Sequence, residues 1–153
     1  MDYRPWNWPD QQTTRSAYQK AAEQAHVLVG NEDEFNILQE DINTQAEQCA
    51  AHDQVMILKR GEKGCSLFSG RARLDTGIYA QTALKPYGSG DAFLGNLIMN
   101  YMSSGDWWQA IEAGSAAAAI VVSKQGCVSA MPSLKEIQLL QKQINIKPAT
   151  VWS

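Results

Sequence analysis

Four consecutive apolar residues, Val55-Met56-Ile57-Leu58, leave this chain few choices of fold. A run of that kind predicts a short strand buried on both faces. Gly61 and Gly64 then turn the chain, and Cys65-Ser66-Leu67-Phe68 predicts an antiparallel partner strand. Upstream, Val27-Leu28-Val29 is a second apolar run, closed by Gly30. Asn31 can cap a helix whose first turn, Glu32-Asp33-Glu34, carries the negative charge that a helix start favours. Capping by Thr13-Thr14 predicts a helix from Arg15 to Gln24, and another is expected from Thr44 to Ala51. Ile78 to Leu84 predicts a further strand. Three helices should follow, over Gly90–Ser103, Trp107–Lys124 and Leu134–Ile144. Strands alternating with helices imply an α/β fold in which helices layer on a sheet.

With 153 residues the chain has the size of one domain with a real core. Hydrophobic residues at 44% and charged residues at 19% exclude a disordered chain. A net charge of −3 with no run of Lys or Arg speaks against a nucleic-acid partner, which needs a basic face. Cys49, Cys65 and Cys127 are far apart and form no C-x-x-C pair. They read as buried apolar thiols in a reducing compartment, not as zinc ligands. No stretch reaches the roughly 20 apolar residues that span a bilayer, and the N-terminus lacks the apolar core of a signal peptide. No membrane partner and a cytoplasmic location are expected.

The most informative chemistry lies in Lys85-Pro86-Tyr87-Gly88-Ser89-Gly90-Asp91 and the apolar helix pattern after it. Two glycines around a serine let backbone N–H groups face outward at a helix N-terminus, where unpaired donors and the helix dipole favour an anion. Asp91 then falls in the first turn. A carboxylate beside bound phosphate repels it, so accepting a proton from an attacking hydroxyl is a good reason for its presence. Taken alone, Ser89 and Asp91 also describe an ordinary helix cap. The spacing of a Walker A loop is absent, as is that of a dinucleotide-binding G-x-G-x-x-G.

The remaining motifs extend the pattern. Asn31-Glu32-Asp33-Glu34 has the form N-x-x-E, and Lys59-Arg60-Gly61-Glu62-Lys63-Gly64 the form K-x-G-x-x-G. Ala113-Gly114-Ser115-Ala116-Ala117 is a helix of small residues, and Gly126-Cys127 leads to Met131-Pro132. Singly these read as a capped helix start, a hairpin and close helix packing. In this order they resemble the C-terminal half of the ribokinase-like (PfkB-type) carbohydrate kinases. That resemblance implies a three-layer α/β sheet with helices on both faces, and residues 1–153 as its single nucleotide-binding portion. The N-terminal sugar-binding half and lid would be absent.

The resemblance also implies a division of roles. Asp91 would be the catalytic base, and the amides of Gly88, Ser89 and Gly90 the anion hole. Asn31 and Glu34 would hold Mg2+ and phosphates through water, while Lys59, Gly61 and Gly64 approach the phosphates of ATP. Ser115 and Gly126 would wall the adenine. The family's usual residue at position 85 helps bind a monovalent cation; Lys85 puts that ion in doubt, either by replacing it or by turning to solvent. Asn96 stands where Ala or Gly is usual.

Asp2-Tyr3-Arg4-Pro5 resembles the segment found in family members acting on keto-deoxy sugar acids, and Asp2 and Arg4 could touch such a substrate or form a salt-bridged turn. Trp6, Trp8, Trp107 and Trp108 could stack on a sugar, though packing is the commoner use. The expected activity is ATP-dependent phosphorylation of a sugar or sugar-acid hydroxyl. The alternative is a non-catalytic nucleotide-binding or interaction module left by truncation. A missing half exposes a sheet edge, so a homo-oligomer, or a partner supplying strands, is expected.

Overall fold

The computed structural model describes residues 4–38, 41–84 and 87–144, together with the backbone of 150–152. Asp2 and Lys85 lie outside the described residues. Two compact units divide the chain: one runs to Thr76 and includes the C-terminal strand, and the other begins at Gly77.

The first unit holds a five-stranded sheet in the order β1 (Val27–Asn31), β2 (Val55–Lys59), β3 (Cys65–Ser69), β4 (Ala72–Thr76) and β5 (Thr150–Trp152). β1 and β2 are parallel, with Asn31 opposite Lys59, and the other pairs are antiparallel. A parallel pair needs a crossover, which here consists of α2 (Glu32–Leu38) and α3 (Ile42–Ala51). β2 is buried on both faces as its sequence requires, with Met56 and Ile57 fully enclosed. Met56 and Leu58 share one cluster with Leu28, Phe35, Leu38 and Cys49, so the crossover helices cover that face. Fully buried side chains such as Phe35 and Met56 each contribute about 1.5–3 kcal/mol.

Helices over Trp107 and Leu134 start where the sequence predicts, whereas two earlier ones begin ahead of their predicted starts at Arg15 and Thr44. α1 spans Gln11–Ala22 and is capped by Asp10, whose carboxylate accepts from the Thr13 amide at 2.7 Å and the Thr13 hydroxyl at 3.0 Å. Asp41 caps α3 in the same way through Thr44, at 2.6 and 2.8 Å. In both places a threonine taken as the helix start belongs to its first turn.

The strand expected over Ile78–Leu84 is absent, and the sheet position beside β3 belongs to β4. Only one side chain of the 78–84 run is anchored: Tyr79 is 3% exposed, whereas Ile78 and Leu84 are open to solvent. β4 was hidden by its charges. Its Asp75 accepts hydrogen bonds from the Ser66 hydroxyl, Arg73 Nε (3.0 Å) and an Arg60 Nη (3.4 Å). Burial alone would raise the Asp75 carboxyl, but these donors and the two guanidinium charges outweigh it and hold it below its ordinary value.

In the second unit, α4 (Ser89–Ser104), α5 (Trp107–Val122) and α6 (Leu134–Gln143) pack around Tyr79, Ala92, Ala116, Val121, Ile137 and Leu140. α5 is a helix of alanines that approaches α4 closely. A β-carbon on Gly114 would lie 2.8 Å from the Phe93 carbonyl oxygen, so only glycine permits this contact. Tyr101 at the end of α4 stacks on Trp107 at the start of α5, with ring centroids 3.7 Å apart. Trp108 packs against the core and Trp8 against Tyr18, while Trp6 is exposed. Asn96 bonds back along its own helix, donating to the Ala92 carbonyl at 3.0 Å.

Candidate functional site

In the first unit, the two loops singled out by sequence meet at one end of the sheet. Asn31 ends β1 and Lys59 ends the parallel β2, in register. Ligands of open α/β sheets bind outside these carboxyl ends. Asn31 Oδ1 accepts from the Glu34 amide at 2.9 Å, and Glu34 Oε2 accepts from the Asn31 amide at 2.8 Å. This reciprocal capping box fixes both side chains and starts α2. A cavity of about 420 Å3 adjoins them, lined by Pro5, Gln11, Asn31, Asp33, Glu34, Asn36 and Ile37. Gln11 and Asn36 carry no motif signal, and only the fold brings them here.

After Lys59, the turn closes through Arg60 N–H donating to the Gly64 carbonyl at 2.8 Å. Gly61 (φ +55°) and Gly64 (φ +83°) take left-handed conformations that side chains resist. The Cys65 thiol just beyond is pushed up to about 12 by burial, despite the nearby Arg60 and Lys59 charges, and is chemically inert.

In the second unit, α4 starts without a side-chain cap. Its N-cap is Gly88, left-handed at φ +83°, and the helical ladder begins with Ala92 N–H donating to the Gly88 carbonyl at 3.0 Å. The amides of Gly88, Ser89, Gly90 and Asp91 therefore precede the first bond of the helical ladder. α1, α3, α5 and α6 start differently, each capped by an Asp or Ser side chain. Asp91 is exposed in the first turn.

The Gly126 loop reaches this turn. A β-carbon on Gly88 would lie 3.5 Å from Cys127 Cβ, 3.7 Å from its sulfur and 3.5 Å from Val121. Gly126 is itself left-handed, at φ +84°, and a side chain there would strike the Ser129 hydroxyl. Cys127 is exposed, which corrects the expectation of three buried thiols. The reason is local: it sits in a loop ahead of the Val128–Ala130 turn, whose buried anchor is Ala130. Ser115 is half-buried on α5, in the run whose Gly114 serves helix packing.

Among the described residues, no three His, Cys, Asp or Glu side chains cluster so as to hold a metal ion.

Residues 1–134 match the pfkB family of carbohydrate kinases. The chain belongs to that family. Among curated pfkB relatives, the 5-dehydro-2-deoxygluconokinase of Listeria monocytogenes is 32% identical over 149 residues, covering 94% of this chain and 46% of the relative. The chain thus spans about half the length of the curated pfkB relatives it matches. Solved structures establish the ribokinase-like α/β fold. A fructokinase double mutant from Vibrio cholerae O395, in its fructose, ADP and potassium-bound form, superposes with a TM-score of 0.81 at 20% identity, covering 90% of this chain and 47% of that one. A ribokinase II from E. coli in complex with ATP and Mg2+ gives 0.80 at 22% identity, covering 87% and 44%.

Proposed function

We propose that this chain carries the phosphoryl-transfer machinery of an ATP-dependent kinase acting on a sugar-acid hydroxyl, with Asp91 as the base. One observation carries the reading: α4 begins on a left-handed glycine with no side-chain cap, and an exposed carboxylate lies in its first turn.

ATP with Mg2+ would supply the transferred phosphoryl group and part of its charge neutralisation. The amides of Gly88, Ser89 and Gly90 take up charge on the phosphoryl oxygens, aided by the positive end of the helix. Asp91 takes the proton of the substrate hydroxyl as that oxygen bonds to phosphorus and the bond to the leaving ADP breaks. Lys59, with the Gly61 and Gly64 turn, is assigned to the phosphates, and Asn31 and Glu34 to the waters around Mg2+. Gly126 and Ser115 are assigned to the adenine. A keto-deoxy sugar acid such as 5-dehydro-2-deoxygluconate is the proposed substrate, by likeness to relatives of that name. The cytoplasm is the proposed location.

The second reading, a nucleotide-binding module without turnover, is favoured by the 46% coverage of the Listeria relative. Calorimetric titration with ATP and Mg2+, followed by an assay of sugar-dependent ADP release, separates the two. Binding with release supports the kinase, binding without release supports the module, and no binding contradicts both.

A further inference from the structure

The turn that follows β2 closes on Arg60. The Arg60 N–H donates to the Gly64 carbonyl at 2.8 Å, and the Arg60 carbonyl accepts from the Lys63 amide at 3.0 Å. Whatever holds Arg60 therefore holds the turn. An Nη of its side chain donates to Asp75 at 3.4 Å, and the two side chains are only 21% and 15% exposed. Arg60 Nε is buried and has no hydrogen-bond partner among the described residues. The guanidinium thus depends on Asp75 for its orientation.

Asp75 stands on β4 and is itself fixed from two other directions. Its Oδ1 also accepts from the Ser66 hydroxyl, opposite it on β3, and from Arg73 Nε at 3.0 Å. Charge-assisted bonds of this kind hold a carboxylate firmly. On charge alone, a carboxylate bonded to this turn weakens the turn's hold on an anion, so its presence needs another reason. We infer that Asp75 is a positioning residue: through Arg60 it holds the Lys59–Gly64 turn in the conformation that receives a polyphosphate. That the polyphosphate is that of ATP rests on the proposed function; that Asp75 sets the turn does not.

The test is calorimetric titration of the full chain with ATP and Mg2+ and, separately, with AMP, which lacks the two outer phosphates. Asp75→Asn keeps the size of the side chain and removes its charge. It should weaken ATP binding by about fivefold or more while AMP stays within a factor of about two, because a misplaced turn loses only the outer phosphates. Arg60→Ala removes the same contact together with a buried, unpaired donor, and should give a similar loss. The double variant should bind ATP no more weakly than the weaker single variant, since both act through one contact. An ATP affinity unchanged or raised in Asp75→Asn, a parallel loss of ATP and AMP, or single losses that multiply in the double variant would each overturn the inference. A parent chain that binds no ATP counts against the kinase reading, and amide hydrogen exchange then decides the positioning role. The Arg60 and Lys63 amides should exchange at least about tenfold faster in Asp75→Asn, with the β1–β2 ladder unchanged. Equal protection in parent and variant, or faster exchange throughout the sheet, would overturn it.

Discussion

Cys127 lies beside Gly88, its sulfur 3.7 Å from the point that a β-carbon on that glycine would occupy, which places an exposed residue next to the start of α4. Alkylation adds bulk and, with iodoacetate, a negative charge at the place proposed for phosphate. Modified protein should bind ATP at least about tenfold more weakly, a loss of roughly 1.4 kcal/mol. Saturating ATP should slow the alkylation. Cys49 and Cys65 are buried and should remain unmodified in the native protein, so mass spectrometry gives the site and calorimetry the affinity. Unchanged affinity would separate this loop from the nucleotide.

Asn31 and Glu34 test whether the N-x-x-E motif is first of all structural. Removing a cap costs about 0.5–2 kcal/mol, and both bonds of this box involve Asn31. Asn31→Ala should lower stability to urea by that amount, while Asn31→Asp, an equally good cap, should stay close to the parent. If Asn31→Ala leaves the transition midpoint unmoved, the box contributes nothing.

Much of the fold could be read from such local chemistry, and the failures have a shared cause. The run 55–58 declared a buried strand because nothing polar interrupts it. β4 could not be seen, because Arg73 and Asp75 look solvated until Ser66 of β3 and Arg60 of the turn after β2 bond to Asp75 beside Arg73. Conversely, Ile78–Leu84 looks like a strand although only Tyr79 finds a core. The glycine loop was legible as a helix start. The nearness of Cys127 was not, since 39 positions separate two residues that only tertiary packing brings together. Nor could sequence show that Gly114 serves the α4–α5 contact.

Gly114 and Gly95 make a matched pair. At Gly114 a methyl group would meet the Phe93 carbonyl oxygen at 2.8 Å, and backbone yields poorly. Gly114→Ala should therefore destabilise by about 1–3 kcal/mol, even after the gain in helix propensity. A β-carbon on Gly95 would meet nothing within 4 Å beyond its own helix, so Gly95→Ala should stabilise the chain by about 0.5–1 kcal/mol. Thermal unfolding of the two variants should shift in opposite directions. Equal shifts would contradict the proposed packing of α4 on α5.

A pH dependence follows from the junction of α5 and α6. Lys124 Nζ donates to Glu136 at 2.5 Å, and the Ser133 amide and hydroxyl each donate to it at 2.8 Å. The bond from Lys124, with those from Ser133, lowers the Glu136 carboxyl from 4.5 to about 2. A carboxyl depressed in the folded state stabilises fully above its ordinary value, and that contribution fades as pH falls through about 2. Glu136→Gln should be less stable than the parent at neutral pH, with the gap narrowing as pH falls from 4.5 towards 2. A constant gap across that range would mean that the ion pair is not what Glu136 contributes.

Asp91 is where the account is most exposed. In a full-length form of the proposed kinase, turnover can be followed as ADP release from ATP and Mg2+ with 5-dehydro-2-deoxygluconate. Asp91→Asn keeps the size and the helix start but cannot take up the proton. It should lower kcat by at least about 10²-fold while ATP affinity stays within a factor of about three. Turnover that survives the substitution would show that proton transfer goes elsewhere, and that the carboxylate in the first turn of α4 does no more than complement the helix dipole.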